Sequence, residues 1–261
     1  MTANPTLAAT AEMLGSFFTS LGGGIGRAAA RSHEAVDGDA RRDIAWVPVL
    51  ALASVGPRFP ELKALPDDGF RPVIFVHGLA GYRGNFLPMR TWLRLHGRTR
   101  SYSIGLKSRT MVEQAEELRS YIARVLVING LKGKQVDIVA HSAGGLVSRL
   151  ALKDPKTAGR VHRLVTLGTP HGGTWAARFT GTRFTTSLRR DSGVIARLES
   201  DVPWRRPTKL VCFWSPADPL MQPAETARVD GADNREIAGF SHLDWLMKRQ
   251  AWMAVDEALR D

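Results

Sequence analysis

One cysteine, Cys212, stands in 261 residues, which excludes an internal disulfide. The compartment stays open, because secreted proteins without disulfides also exist. Nowhere do the roughly 18 apolar residues of a membrane-spanning helix run together. The longest candidate, Ile44 to Val55, is shorter and contains Pro48, so it reads as a buried or interfacial element. The opening residues have no early basic residue, Glu12 interrupts their apolar stretch, and the glycines between Leu21 and Gly26 would break a signal helix. The reading leans to an intracellular protein, with membrane association left open. Between Arg71 and Val112 there is no acidic residue against eight basic ones. Neither a G-x-G-x-x-G nor a Gly-Lys-Ser/Thr signature occurs, so the glycine-rich turns are not read as phosphate loops.

What is present is an ordinary globular composition, 44% hydrophobic and 23% charged, with an uneven charge. Residues 71–168 hold 17 basic and 5 acidic residues, net +12, whereas residues 1–70 hold 6 and 8, net −2. Such a field suits an anionic substrate, a lipid surface or nucleic acid, or is simply a solvated arginine-rich face. Against nucleic acid, the stretch has no recognisable binding motif and no stacking series of aromatics.

The chain divides near residue 70. Residues 1–70 are Ala- and Gly-rich, with helices expected near Thr6–Thr19 and Ala28–Val36, then Ile44–Val55 and a proline-rich connector. They read as an N-terminal helical arm or extension carrying no motif. Residues 71–261 alternate strand and helix. Val73–Val76 is a β-branched run suited to a strand buried on both faces. A helix follows over Asn85–Leu95, with Phe86, Met89, Trp92, Leu93 and Leu95 on its apolar face. Another spans 111–128, with Val112, Ala115, Leu118, Ile122 and Val125 at helical spacing. Strands are expected over 135–140, 160–167 and 208–214, and helices over 144–152 and 245–259. The pattern predicts an α/β fold with a mostly parallel sheet covered on both faces.

The strongest chemical signal is Val139-Ala140-His141-Ser142-Ala143-Gly144-Gly145, between a predicted strand and a predicted helix. A serine hydroxyl attacks only when exposed, oriented and paired with a base. A strand–turn–helix elbow orients it, and needs small residues two positions either side; Ala140 and Gly144 meet that need. Val76-His77-Gly78-Leu79-Ala80-Gly81 closes the first strand where an oxyanion hole is expected, so the N–H groups of Leu79 and Ala143 are its candidates. The base should follow in the order Ser, Asp or Glu, His. His242, on a loop running into the last helix, fits; His171 comes too early, and His141 is expected to point away from the serine's side. Asp218, just after the strand Lys209–Trp214, leads Asp201, Asp230 and Asp233 as the acid.

Residues 71 to about 258 resemble the bacterial triacylglycerol lipase and esterase branch of the α/β-hydrolase superfamily. The resemblance rests on Val76 to Gly81, Asn85-Phe86, Val136 to Gly145, Val165 to Pro170, Ser215 to Asp218 and Gly239 to His242. It implies an acyl-enzyme on Ser142, with His242 as base and Asp218 orienting it, acting on carboxylic, lipidic esters without a cofactor. Some larger lipases of the branch hold calcium through an Asp two residues after the catalytic histidine. Asp244 has that place, but Lys248 replaces an amide ligand, so no metal is expected. Residues 172–207 form an insertion where relatives carry a cap or lid; its aromatic and aliphatic residues line an acyl pocket or only cover the sheet. The expected partner is a small-molecule or lipid ester, with an anionic lipid surface as a further candidate. A thioesterase or acyltransferase using the same triad remains open. So does a non-catalytic basic module binding membrane or nucleic acid, though it would leave the Ser–Asp–His order unexplained.

Overall fold

The computed structural model describes Asp43 and residues 62–79, 81–179, 181–204 and 206–260. The helices expected before residue 40 and the run Ile44–Val55 lie outside the described residues. From residue 71 on, the chain runs β1 (Val73–Val76), a 3-10 turn (Arg83–Phe86) leading into α1 (Leu87–Leu95), β2 (Ser101–Ser103) and α2 (Met111–Ile128). It continues with β3 (Val136–His141), α3 (Ala143–Ala151), the short α4 (Pro155–Ala158) and β4 (Val161–Leu167). After a 3-10 turn (Trp175–Phe179) come α5 (Arg183–Thr186), α6 (Gly193–Glu199), β5 (Lys209–Trp214), a 3-10 turn (Ala224–Ala227) and β6 (Asp233–Glu236). Two helices, α7 (Asp244–Met247) and α8 (Arg249–Arg260), close it.

The six strands pair in the order β2-β1-β3-β4-β5-β6, every pair parallel. Strand alternation assigns the two faces. Ile74, Val76, Ile138, Ala140, Leu164 and Cys212 join α2, α3 and α6 in one core. Val73, Phe75, Val139, Val165, Val211 and Phe213 join α1, α7 and α8 in the other. The chain steps outward from β1 to β2, then returns to build β3 to β6 on the opposite side. That reversal opens a crevice between the carboxyl ends of β1 and β3, where open parallel sheets hold their ligands.

Helix α2 begins as its sequence directs: the Thr110 hydroxyl accepts from the Glu113 N–H, and Glu113 reaches back to the Thr110 N–H. Its buried stripe is Met111, Ala115, Leu118, Ile122 and Val125, while Val112 is exposed, which corrects the sequence assignment by one residue. On α1, likewise, Met89 and Leu93 are buried but Leu95 faces solvent. The last helix is split, because Lys248 is extended (φ −85°, ψ 132°) between α7 and α8.

The basic stretch is largely built into the fold. Arg98 is 3% exposed and pairs with Asp256 of α8 at 2.8 Å. Arg100 pairs with Asp67, Arg71 with Asp137, and Arg90 donates to the Ser101 hydroxyl and carbonyl. Of this group Arg94, Lys107 and Arg109 are exposed. In the 172–207 segment, Phe184, Leu188, Ile195, Leu198 and Trp204 are buried in the α2–α3 core, and Trp175 is exposed. Among the described residues no helix is long and apolar enough to cross a membrane.

Candidate active site

Four of the loops at the carboxyl edge of the sheet, those after β1, β3, β4 and β5, converge with the loop that precedes α7. Ser142 links β3 to α3 with φ 55° and ψ −132°, the one non-glycine residue of positive φ among the described residues. That conformation is costly for a side chain bearing a Cβ, and it persists because the surroundings over-determine it. The Ser142 N–H donates to the Leu167 carbonyl, and its own carbonyl accepts from the Thr169 hydroxyl at 2.8 Å and from the Gly145 N–H. Glycines make the crossing possible. A Cβ on Gly144 would lie 2.5 Å from the Val76 carbonyl oxygen, and one on Gly145 would strike Thr169.

The loop after β1 presses against Ser142. A Cβ on Gly78 would stand 2.7 Å from Ser142 Cβ and 3.2 Å from its Oγ. His77 holds this loop: Leu106 N–H donates to its Nε2, so Nδ1 carries the proton and donates to the Gly78 carbonyl. Burial pushes its pKa below the ordinary histidine value, which keeps that neutral tautomer. Leu79 is the next residue, and Ala143 is the first residue of α3, where an N–H has no partner within its own helix.

His242 and Asp218 come together as the sequence order suggested. His242 Nδ1 lies 2.9 Å from Asp218 Oδ2, and both residues are buried. Asp218 also accepts from the Leu220 N–H and, at 3.2 Å, from the indole N–H of Trp245. With Nδ1–H donating to the carboxylate, Nε2 carries the lone pair a general base needs. Burial alone would lower the His242 pKa, but the Asp218 charge and hydrogen bond, with the Asp43 charge behind them, bring it above the ordinary value. His141, next to Ser142, does not point away from this centre. Its ring packs 4.6 Å from that of His242, and its Nε2–H donates to the His242 carbonyl at 2.9 Å. Burial holds His141 neutral. Among the described residues no hydrogen bond runs from the Ser142 hydroxyl to the His242 ring, a bond that often tightens only around substrate.

The family described as "PGAP1-like alpha/beta domain" matches residues 101–190, the stretch from β2 through Ser142 into the insertion. Among solved structures, the mature form of Bacillus licheniformis lipase BlEst2 is 19% identical with a TM-score of 0.61, covering 76% of this chain and 96% of that one. Aspergillus fumigatus lipase B is 18% identical with a TM-score of 0.64, covering 77% of this chain and 55% of that one. An α/β-hydrolase enzyme from the metagenome of Mar Chica lagoon sediments, MGS-MChE2, is 18% identical at 0.53, covering 76% and 92%.

The chain has the α/β-hydrolase fold.

Within this fold, several supports of the candidate site had no legible sequence signal of their own. Gly168 (φ 51°) lets the chain pass beneath Asp218, since a Cβ there would meet Asp218 Oδ2 at 2.8 Å and Trp245 Nε1 at 2.7 Å. The Ser215 hydroxyl accepts from both Ala217 and Phe240 N–H groups and so ties the acid loop to the histidine loop. Asp244 does not fit a metal ion: Lys248 Nζ stands 2.8 Å from its Oδ2 and supplies the cation itself. A cleft of about 490 Å³ opens beside the Gly78–Leu79 loop that faces Ser142, lined by Gly78, Leu79, Leu106, Phe184, Arg109 and Arg183.

Proposed function

We propose that this protein is a serine esterase or lipase that cleaves carboxylic, lipidic esters through an acyl-enzyme on Ser142. The observation that carries the reading is the strained Ser142 elbow, whose neighbour His141 packs against the ring of His242, an imidazole whose Nδ1 is engaged by a buried carboxylate. In the proposed cycle His242 Nε2 takes the Ser142 proton as Oγ bonds to the ester carbon. The Leu79 and Ala143 N–H groups receive the carbonyl oxygen as it becomes an oxyanion. Collapse breaks the ester C–O bond, and His242 returns its proton to the departing alkoxide. Water, deprotonated by the same imidazole, then attacks the acyl-enzyme and releases the acid with Ser142 restored. No step calls for a cofactor.

Residues 71–261 form the proposed catalytic domain. The cleft beside Leu79 has apolar walls in Leu106 and Phe184, which suit a hydrocarbon chain. The lipases among the structural neighbours favour the same substrate class. In the basic stretch the exposed Arg94, Lys107 and Arg109 can meet an anionic lipid surface. The proposal expects Arg94→Glu with Arg109→Glu to weaken binding to anionic vesicles and to leave neutral ones unaffected. Turnover of p-nitrophenyl esters from acetate to palmitate tests the chemistry. Ser142→Ala is expected to lose activity by at least about 10³-fold. Well-folded wild type that hydrolyses none of these esters would refute the reading.

A further inference from the structure

The His242 peptide is gripped on both sides, and one grip comes from far away in the chain. Its carbonyl accepts from His141 Nε2–H at 2.9 Å. Its N–H donates to Asp43 Oδ2 at 3.2 Å, and the next N–H, of Leu243, donates to Asp43 Oδ1 at 2.7 Å. Asp43 lies about 200 residues upstream, in the N-terminal extension that precedes the strand–helix alternation, and it has no exposed surface. A carboxylate is rarely buried unless something answers its charge. Here two backbone donors answer it, and both belong to the loop that carries the imidazole. We infer that Asp43 is a positioning residue for the catalytic base: the N-terminal extension completes the active site by fixing the peptide of His242 and placing a second negative charge behind its ring.

The inference rests on His242 acting as the base, and it assigns Asp43 a role distinct from that of Asp218. Asp218 holds the ring at Nδ1, whereas Asp43 holds the backbone from which the ring projects. Two bonds from one carboxylate to successive N–H groups fix the loop against both sliding and rotation, which sets the ring's approach to Ser142. The charged groups facing Asp43 are His242 and Asp218. Burial raises the Asp43 carboxyl to about 6, opposed by the His242 charge and the Leu243 N–H. When protonated, it would present an O–H toward two N–H donors and loosen the grip.

The test compares Asp43→Asn, Asp43→Ala and Asp43→Glu with wild type and Ser142→Ala, measuring kcat, KM and the pH profile of kcat/KM. Asp43→Asn keeps the shape, removes the charge and turns one acceptor into a donor. Both it and Asp43→Ala are expected to lower kcat about tenfold or more with little change in KM. Their acid limb should move to lower pH, because the imidazolium loses an anionic neighbour. Asp43→Glu should recover part of kcat. A folded Asp43→Asn with wild-type kcat and an unmoved acid limb overturns the inference, even when Ser142→Ala is inactive. Should wild type hydrolyse no ester, the proposed function fails separately. The His242 ring, titrated by NMR, then decides: titration at lower pH in Asp43→Asn upholds the coupling, and titration at the same pH overturns it.

Discussion

At Ser142, the proposed nucleophile, the backbone itself sets where the hydroxyl projects. Its positive φ is a conformation most sequences give to glycine, and it is held by the Leu167 carbonyl of β4, the Gly145 N–H of α3 and the Thr169 hydroxyl. The same crowding makes Gly78 a sensitive probe. Gly78→Ala would place a methyl within 3 Å of Ser142 Cβ, so activity is expected to fall about 100-fold while the melting temperature shifts by only a few degrees. Steady-state kinetics beside thermal unfolding would check this. Asp218→Asn keeps the shape but offers the ring a neutral partner, and kcat should drop about 10³- to 10⁴-fold. In wild type, kcat/KM should rise with pH through the elevated His242 pKa, because only the neutral imidazole accepts the serine proton.

At the scale of elements, the site depends on how the final helices are anchored. Arg98 lies between α1 and β2, and its guanidinium reaches Asp256 of α8 in a pair that is buried on both sides. Breaking such a pair leaves an unanswered charge inside the protein. Asp256→Ala is therefore expected to cost about 3 kcal/mol, visible as a melting temperature lowered by roughly 10 °C. Residual activity at 25 °C should remain near that of wild type, since the histidine loop is held separately by Ser215 and Asp43. Helix α3, which follows Ser142, has an analogous tie: buried Arg149 donates to the Leu198 carbonyl and so pins α6 of the insertion to α3. This explains why the apolar residues of α6 lie in the core.

At the scale of the whole molecule, the raised carboxyl of Asp43 links catalysis to stability. Its folded pKa, about 6, lies above the ordinary value of 3.8. Proton binding there favours the folded state below about pH 4, and that contribution is lost as pH climbs through 6. Asparagine at position 43 does not titrate. The melting temperature of Asp43→Asn relative to wild type should therefore improve between pH 4.5 and pH 7.5, by the equivalent of about 2 kcal/mol. Thermal unfolding of both proteins across that range is the check; parallel curves would refute the linkage. A variant that is relatively more stable at neutral pH yet slower would mark Asp43 as a group kept for function at a cost in stability.

The sequence by itself determined the alternation of strands and helices, the parallel sheet and the short motifs, because each rests on local causes. Buried strands such as Val73–Val76 need apolar runs, an elbow needs small neighbours, and α2 needs its cap. It left β2 and β6 unread: Ser101–Ser103 and Asp233–Glu236 are short, polar edge strands whose only signal is a neighbour to pair with. Bringing Ser142, Asp218 and His242 to one edge needed the sheet's reversal between β1 and β3. Gly168, Trp245 and His141 gained their roles only through contacts made across the fold. Asp43 is the extreme case. Nothing around it in sequence differs from any surface aspartate, and only tertiary structure, by closing a loop of about 200 residues, sets it against the peptide of His242, the proposed base.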